Sequence, residues 1–283
     1  MAFKFMKYRK LVYAASALLA IGTAVSLSMR GLNYGIDFAG GISMEVKPTD
    51  GYSMAKMRSD LDKFKPEMQQ DAKGNVLIRI GLEKNATDEA QNDIVRGIKS
   101  IIGARGSYEQ IQAVGPKIGG ELIRGGILAM LFAFAMMAIY VWIRYRGGYA
   151  VGMLSALLLD FALMFGFYSI SWLEFSQVSI AVILTGIGYS VNDKIVNYDR
   201  IMENARKYKS MGAEQLIDLS VNEMLKRTML TSVSTALGMA ALMIFAGGVL
   251  GDFALAMLFS IFEGSLSSIF VSNAALMNFN IRE

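Results

Sequence analysis

The chain of 283 residues has no cysteine and no histidine. Without thiols there is no disulfide framework and no Cys-based metal site, and without imidazole the usual zinc, haem and His-based acid/base chemistries are excluded as well. Proton chemistry must therefore run on carboxylates, Lys, Arg or Tyr, and neither a metal nor a cofactor is expected. Charge is also scarce. Only 18% of residues are charged against 54% hydrophobic, and the mean hydropathy of +0.40 is too high for an ordinary soluble domain and fits an integral membrane protein. The net charge of +4 falls in short clusters and not on one basic face, so it reads as a topology signal, and no nucleic-acid partner is expected.

A helix needs an apolar run of about 20 residues to cross the hydrocarbon. Six segments qualify, some approximately: 11–29, 125–143, 148–170, 177 to about 198, 229–246 and 253 to about 277. The first follows Lys4, Lys7, Arg9 and Lys10 and has no clear small-residue cleavage site, so a retained anchor is expected in place of a signal peptide. Positive residues gather on the cytoplasmic side of a membrane. Lys4 to Lys10, Arg144, Arg146, Arg200, Arg206, Lys207, Lys209, Lys226, Arg227 and Arg282 all fall on one side, whereas connections 171–176 and 247–252 carry no Lys or Arg. Both termini are then cytoplasmic and residues 31–122 extracytoplasmic, with residues 1–30 as the N-terminus and first span and 123–283 as spans two to six. A largely helical cytoplasmic segment is expected at about 199–227, with a break at Met211-Gly212-Ala213 and with Leu216, Leu219 and Met224 along the membrane surface or against a partner.

The extracytoplasmic part has soluble character. "GISMEVKP" reads as a strand ended by Pro48 and "SMAKMRSDLDKF" as a Ser-capped helix with Met54, Met57, Leu61 and Phe64 on one face. "NVLIRIGL" reads as a strand paired with "EMQQDA" across the turn Lys73-Gly74-Asn75. "TDEAQNDIVRGIKSIIG" is a helix capped by Thr87 and stopped at Gly103, and "SYEQIQAVG" is a last strand. Strand, helix, strand, strand, helix, strand is the order of a split βαβ, ferredoxin-like α+β domain. No titratable cluster gathers in it, which suits docking better than catalysis.

Three polar features stand out. "GLNYGIDFAGGISMEV" holds Gly35, Asp37, Gly40 and Gly41 where the first span leaves the membrane; the glycines precede a strand and lack a Gly-Lys-Ser/Thr ending, so this is no phosphate loop. Asp37 reads first as a local turn acceptor. Asp160 lies in mid-span in "SALLLDFALMFGF", where a charge costs about 2.5–3.5 kcal/mol, so it is expected to be partnered, protonated or functional. The span from 177 carries Gly186, Gly188 and Ser190, small residues that let helices approach, before Asn192, Asp193 and Lys194. Asp193 falls on the order of 9 Å below that span's midpoint.

"GIDFAGG" resembles the hallmark of the SecD/SecF family of the bacterial protein-export machinery. "IGYSVNDKIVNYDRIMEN" is similar to the fourth span of its SecF branch in register from Ile187 to Asn204, and "LKRTMLTSVSTALGMAALMIFAGG" and "SLSSIFVSNAALM" resemble its last two helices. The resemblance covers nearly the whole chain. It departs at Leu159, where relatives often carry His, at Lys194, which replaces a small hydroxyl residue, and at Glu263, an extra intramembrane carboxylate that could compensate for Lys194. The resemblance implies one six-helix half of a resistance-nodulation-division type unit in the bacterial inner membrane. SecD would pair with it as a heterodimer, SecYEG and YajC and YidC would be further partners, and the proton-motive force would promote export of unfolded polypeptide. On this reading Asp160 is the main protonatable group, Asp193, Asn192 and Arg200 are relay or charge-balancing residues, and Gly35, Asp37, Gly40, Gly41, Gly188 and Ser190 are structural. A small-molecule proton-coupled exporter and a non-conducting scaffold are the alternatives; an enzyme is not expected, since no nucleophile, base and orienter recur together.

Overall fold

The computed structural model of the chain describes residues 3–49, 51–70, 74–82, 88–145, 147–246 and 248–279. Lys73, Thr87, Arg146, Gly247 and Arg282, which enter the sequence argument, lie outside the described residues.

Helix α1 (Arg9–Arg30) leads through strand β1 (Asn33–Tyr34) and a single helical turn, α2 (Ile36–Ala39), into strand β2 (Gly41–Pro48). Helix α3 (Met54–Leu61) follows, with Ser53 Oγ accepting from the Lys56 amide as its cap. Strands β3 (Glu67–Gln70) and β4 (Val76–Gly81), helix α4 (Asp88–Ile102) and strand β5 (Gly106–Val114) complete the part outside the bundle. The four longer strands form one antiparallel sheet in the order β3-β4-β2-β5. Side chains alternate across a strand, so Ile42, Met44 and Val46 of β2 and Val76, Ile78 and Ile80 of β4 share one face. That face is closed by Met57 and Leu61 of α3 and Ile98 and Ile102 of α4, and this core contains no buried charge among the described residues. Each such aliphatic side chain contributes about 1.5–3 kcal/mol by leaving water.

The rest is a helix bundle: α5 (Pro116–Arg144), α6 (Gly148–Ser171), the two-residue strand β6 (Glu174–Phe175), α7 (Gln177–Lys207), α8 (Ala213–Phe245) and α9 (Gly248–Leu266). From α9 the chain continues through a π-helical turn (Ser267–Val271) into α10 (Ser272–Leu276). Among the described residues five segments are long and apolar enough to cross a membrane: Met6–Arg30, Ile118–Arg144, Gly148–Ser171, Ala213–Phe245 and Gly248–Leu276. The sixth expected span, α7, is a 31-residue helix whose lower half carries Asp193, Lys194, Asp199 and Arg200, and these polar residues keep it out of that class. The outward surface is apolar, with Ile143 and Phe245 each 76% exposed. Within segment 199–227, α7 runs on to Lys207 and α8 begins again at Ala213 after a turn at Lys209 and Ser210. Leu216 is buried and Leu219 half-buried in the packing of these two helix ends.

The basic residues cluster at one end of the bundle. There Arg144 pairs with Asp199 at 2.8 Å, Arg200 with Glu223 at 2.6 Å and Glu203 at 2.7 Å, and the Phe3 and Met6 amides donate to Asn222 and Asp218 of α8. At the opposite end the sheet joins the bundle. Strand β1 pairs in parallel with β6, Arg79 of β4 pairs with Glu174 of β6, and Asp37 accepts from the Gln177 amide at the start of α7 at 3.4 Å. Gly40, which closes α2 with φ +75° and ψ 138°, occupies backbone space open almost only to glycine.

Candidate functional site

The site is built where α6, α7 and α9 cross. Helices α7 and α9 are held close by small residues: a Cβ added at Gly186 would collide with the Ser260 side chain, and one at Gly264 would lie 2.9 Å from Ser190 Cβ. Gly186 and Ser190, like Ser260 and Gly264, are four residues apart and recur on one helix face, so the pairs form a seam one turn long. The next residue down that face of α7 is Lys194. Helical side chains lean toward the N-terminus of their own helix, which carries the Lys194 ammonium back along the seam. It reaches Ser190 Oγ at 2.5 Å and, on the neighbouring helix, Asp160 Oδ2 at 2.6 Å.

Asp160 sits near the centre of α6, roughly 17 Å from either end. Three groups donate to it: Lys194 Nζ and Ser190 Oγ to Oδ2, each at 2.6 Å, and Ser267 Oγ of the π turn to Oδ1 at 2.5 Å. This is the coordination of an ionised carboxylate. Lys194 is 0% exposed and Asp160 1% exposed, so the ion pair has no solvent around it. A fourth group closes the cluster. Glu263 of α9 interacts with both, with its carboxyl in hydrogen-bond reach of that of Asp160.

The other residues singled out from sequence are spread around this centre. Ser190 is inside it. Asp193, one residue from Lys194, turns toward a different neighbour: it is buried, feels Lys194 and Arg227 electrostatically, and its Oδ2 has no hydrogen-bond partner among the described residues. Asn192 and Gly188 face outward from α7. Arg200 is held by Glu203 and Glu223 at the basic end, on the order of 9 Å further along α7 than Lys194. Gly35, Asp37, Gly40 and Gly41 are all at the junction with the sheet, where Asp37 engages α7 from a distance in sequence and not a local turn. Composition and spacing did not point to Ser267, nor to the amide layer below it, in which Asn197 Nδ2 donates to Ser268 O and Asn273 Oδ1 and Tyr198 OH donates to Ser272 O. The available signal was the four-residue spacing of Ser190 with Lys194 and of Glu263 with Ser267 on two helices that share a small-residue seam.

Among the described residues no group of three or more His, Cys, Asp or Glu is placed to hold a metal ion. At Asp160 the position of a cation is taken by the Lys194 ammonium. What the arrangement can do is hold, share or exchange protons between carboxyls inside a helix bundle.

Comparison with known proteins assigns this architecture. Residues 97–282 match the family model described as protein export membrane protein SecD/SecF, C-terminal, and residues 25–50 match the SecD/SecF GG motif. The chain belongs to the SecD/SecF family. It is 38% identical over 289 residues to the protein translocase subunit SecF of Rickettsia bellii, covering 98% of this chain and 93% of the relative. It is 37% identical over 282 residues to the SecF of Rickettsia conorii, at 98% and 92% coverage. The crystal structure of SecDF from Thermus thermophilus, described as a translocon-associated membrane protein, superposes with a TM-score of 0.84 at 33% identity; it covers 98% of this chain and 38% of that one. A second SecDF structure, in a form described as super-membrane-facing, gives 0.72 at 32% identity, covering 98% and 39%. The chain therefore spans about two fifths of the solved SecDF chains and nearly the whole of the curated SecF relatives. The buried residues Asp160, Ser190, Lys194 and Ser267 and the half-buried Glu263 beside them all fall in the C-terminal SecD/SecF match, and the junction glycines fall in the GG-motif match.

Proposed function

We propose that this chain is a SecF-type accessory subunit of the Sec translocase that couples the proton-motive force to protein export. The naming of its relatives as protein translocase subunits supports the first part of this reading. The observation that carries the second is the solvent-free Asp160–Lys194 pair at mid-depth in the bundle. One charge moved through 100 mV is worth about 2.3 kcal/mol, enough to bias a rearrangement and too little to translocate a long segment in one step, so repeated cycles are required.

The finer architecture on this reading is six spans, α7 being the sixth, with the basic end and both termini cytoplasmic and the sheet domain outside the inner membrane. The strand order β3-β4-β2-β5 with two helices on one face agrees with a split βαβ, ferredoxin-like domain. Since the solved SecDF chains are more than twice as long, a SecD-type chain is the natural source of the missing half. SecYEG, YajC and YidC follow from the family resemblance alone. Asp160 is the centre of the proton relay, Lys194 takes the charge-balancing place first given to Arg200, and Asp193 with Arg227 is a second polar station.

The test is precursor export into inner-membrane vesicles carrying Asp160→Asn. Loss of the uncoupler-sensitive part of export is expected; unchanged export removes Asp160 from the mechanism. A paired Asp160 also suits a non-conducting scaffold, and export that ignores the uncoupler in the unaltered protein favours that reading.

A further inference from the structure

Lys194 and Glu263 are two of the three places where this chain departs from the pattern that its other residues resemble, and the fold brings both to the same carboxylate. With both acids ionised and Lys194 protonated, the cluster of Asp160, Lys194 and Glu263 has a net charge of −1. One added proton makes it neutral. Asp160 and Lys194 are fully buried and Glu263 half-buried, and a net charge beside a solvent-free pair is costly, so a site of this composition retains a proton until a compensating change lets it go.

We propose that this proton resides on Glu263, as a carboxylic acid donating to the Asp160 carboxylate, and that Lys194 keeps Asp160 ionised so that Glu263 is the group that loads and unloads. The inference rests on the proton-coupled reading above and names the group that exchanges. Both oxygens of Asp160 already receive donors, from Ser190, Lys194 and Ser267, whereas among the described residues no N–H or O–H group is placed to donate to Glu263, whose carboxyl lies beside that of Asp160. The groups facing Glu263 are Asp160 from α6 and Lys194 from α7; the basic Arg227 of α8 acts on Asp193 instead. The step balances simply. A proton arriving from one side converts the Glu263 carboxylate to the acid and brings the cluster to neutrality, and the same proton leaves to the other side, restoring −1. In the unloaded state Lys194, which already donates to Ser190 Oγ and Asp160, has a third N–H available for the Glu263 carboxylate. Ser267 lies one turn after Glu263 and opens the π turn, so the backbone nearest the exchanging group is of the type that inserts at functional sites. A metal ion is not the exchanged species, because the ammonium occupies the cation position.

Infrared difference spectroscopy of the full chain in lipid vesicles, titrated across pH, reads protonated carboxyls through their C=O stretching band. The unaltered protein is expected to show one band that Glu263→Gln lacks. In Glu263→Asp the band persists at a shifted frequency, and in Lys194→Met a second band appears as Asp160 takes up a proton. An unshifted band in Glu263→Asp puts the proton on another carboxyl and overturns the assignment, and an equal band in Glu263→Gln, which leaves the proton on Asp160 or outside the cluster, has the same consequence. Should Lys194→Met fail to fold, the two Glu263 variants still decide. The spectra are independent of export: a Glu263 band alongside export that ignores Asp160→Asn leaves the bound proton standing and removes only its use.

Discussion

The sheet domain and the helix bundle solve opposite problems. In the sheet domain water surrounds the outside, and the interior is a closed set of hydrophobic side chains from Ile42 to Ile102. In the bundle the outside is apolar and the interior contains an ion pair, a further carboxyl and a layer of Ser and Asn side chains. Burial therefore carries different meanings in the two halves. A buried residue of the sheet domain is there because it leaves water, and it can be read from its alternation along the strand. A buried residue of the bundle is often polar, is expensive there, and persists because a specific partner across a helix seam satisfies it.

The largest expected effect breaks that seam. Lys194→Met removes one partner of a dry ion pair and should destabilise the protein by about 3–5 kcal/mol, whereas the double variant Lys194→Met with Asp160→Asn should regain most of that loss. Unfolding in detergent followed by circular dichroism measures both; equal losses in single and double variants would mean that the pair contributes through packing and not charge. In the sheet domain the corresponding experiment is a cavity. Ile78→Ala at the centre of β4 should cost about 2–5 kcal/mol, and no second substitution of a polar group should restore it. Protection of β2 and β4 amides from hydrogen exchange reports that loss locally. At the junction, Gly40→Val places a β-branched side chain in a backbone region reserved for glycine and should cost about 1–3 kcal/mol, visible as a lowered midpoint with the bundle's own helicity unchanged.

The contrast also explains what was legible. The strands and helices of the sheet domain follow from period and caps, so "GISMEVKP" and "NVLIRIGL" coincide with β2 and β4 to within about a residue, and "EMQQ" pairs with β4 as its turn suggests. The spans follow from apolar length, except that polar α7 falls short of that measure. Asp160 stood out because a lone carboxylate in an apolar run has few bland explanations. Its partner did not, since Asp193, Lys194 and Arg200 lie within eight residues and only the rotation of α7 against α6 decides which of them meets Asp160. The lean of a helical side chain toward its N-terminus, together with the Gly186 and Ser190 seam, is what selects Lys194. Ser267 was hidden for a related reason: its direction is set by the π turn, which no short-range pattern announces.

The smallest expected effect lies where the two halves meet. Glu174 accepts from Arg79 and from the Ile36 amide, yet burial pushes its carboxyl above the usual glutamate range, outweighing the pull of the Arg79 charge. A carboxyl raised in the folded state binds its proton more tightly there than in the unfolded chain. Its contribution to stability is therefore full below the ordinary glutamate value and is lost as pH rises through the raised one. The junction should tighten on mild acidification and Glu174→Gln should flatten that dependence at little cost, whereas Arg79→Met, which strips the carboxylate of its cation, should loosen it by about 1 kcal/mol. Hydrogen exchange at the β1 and β6 amides across pH separates the cases: protection that falls on acidification in the unaltered protein would mean that the Arg79 pair, and not desolvation, governs the contact between the water-facing and lipid-facing halves.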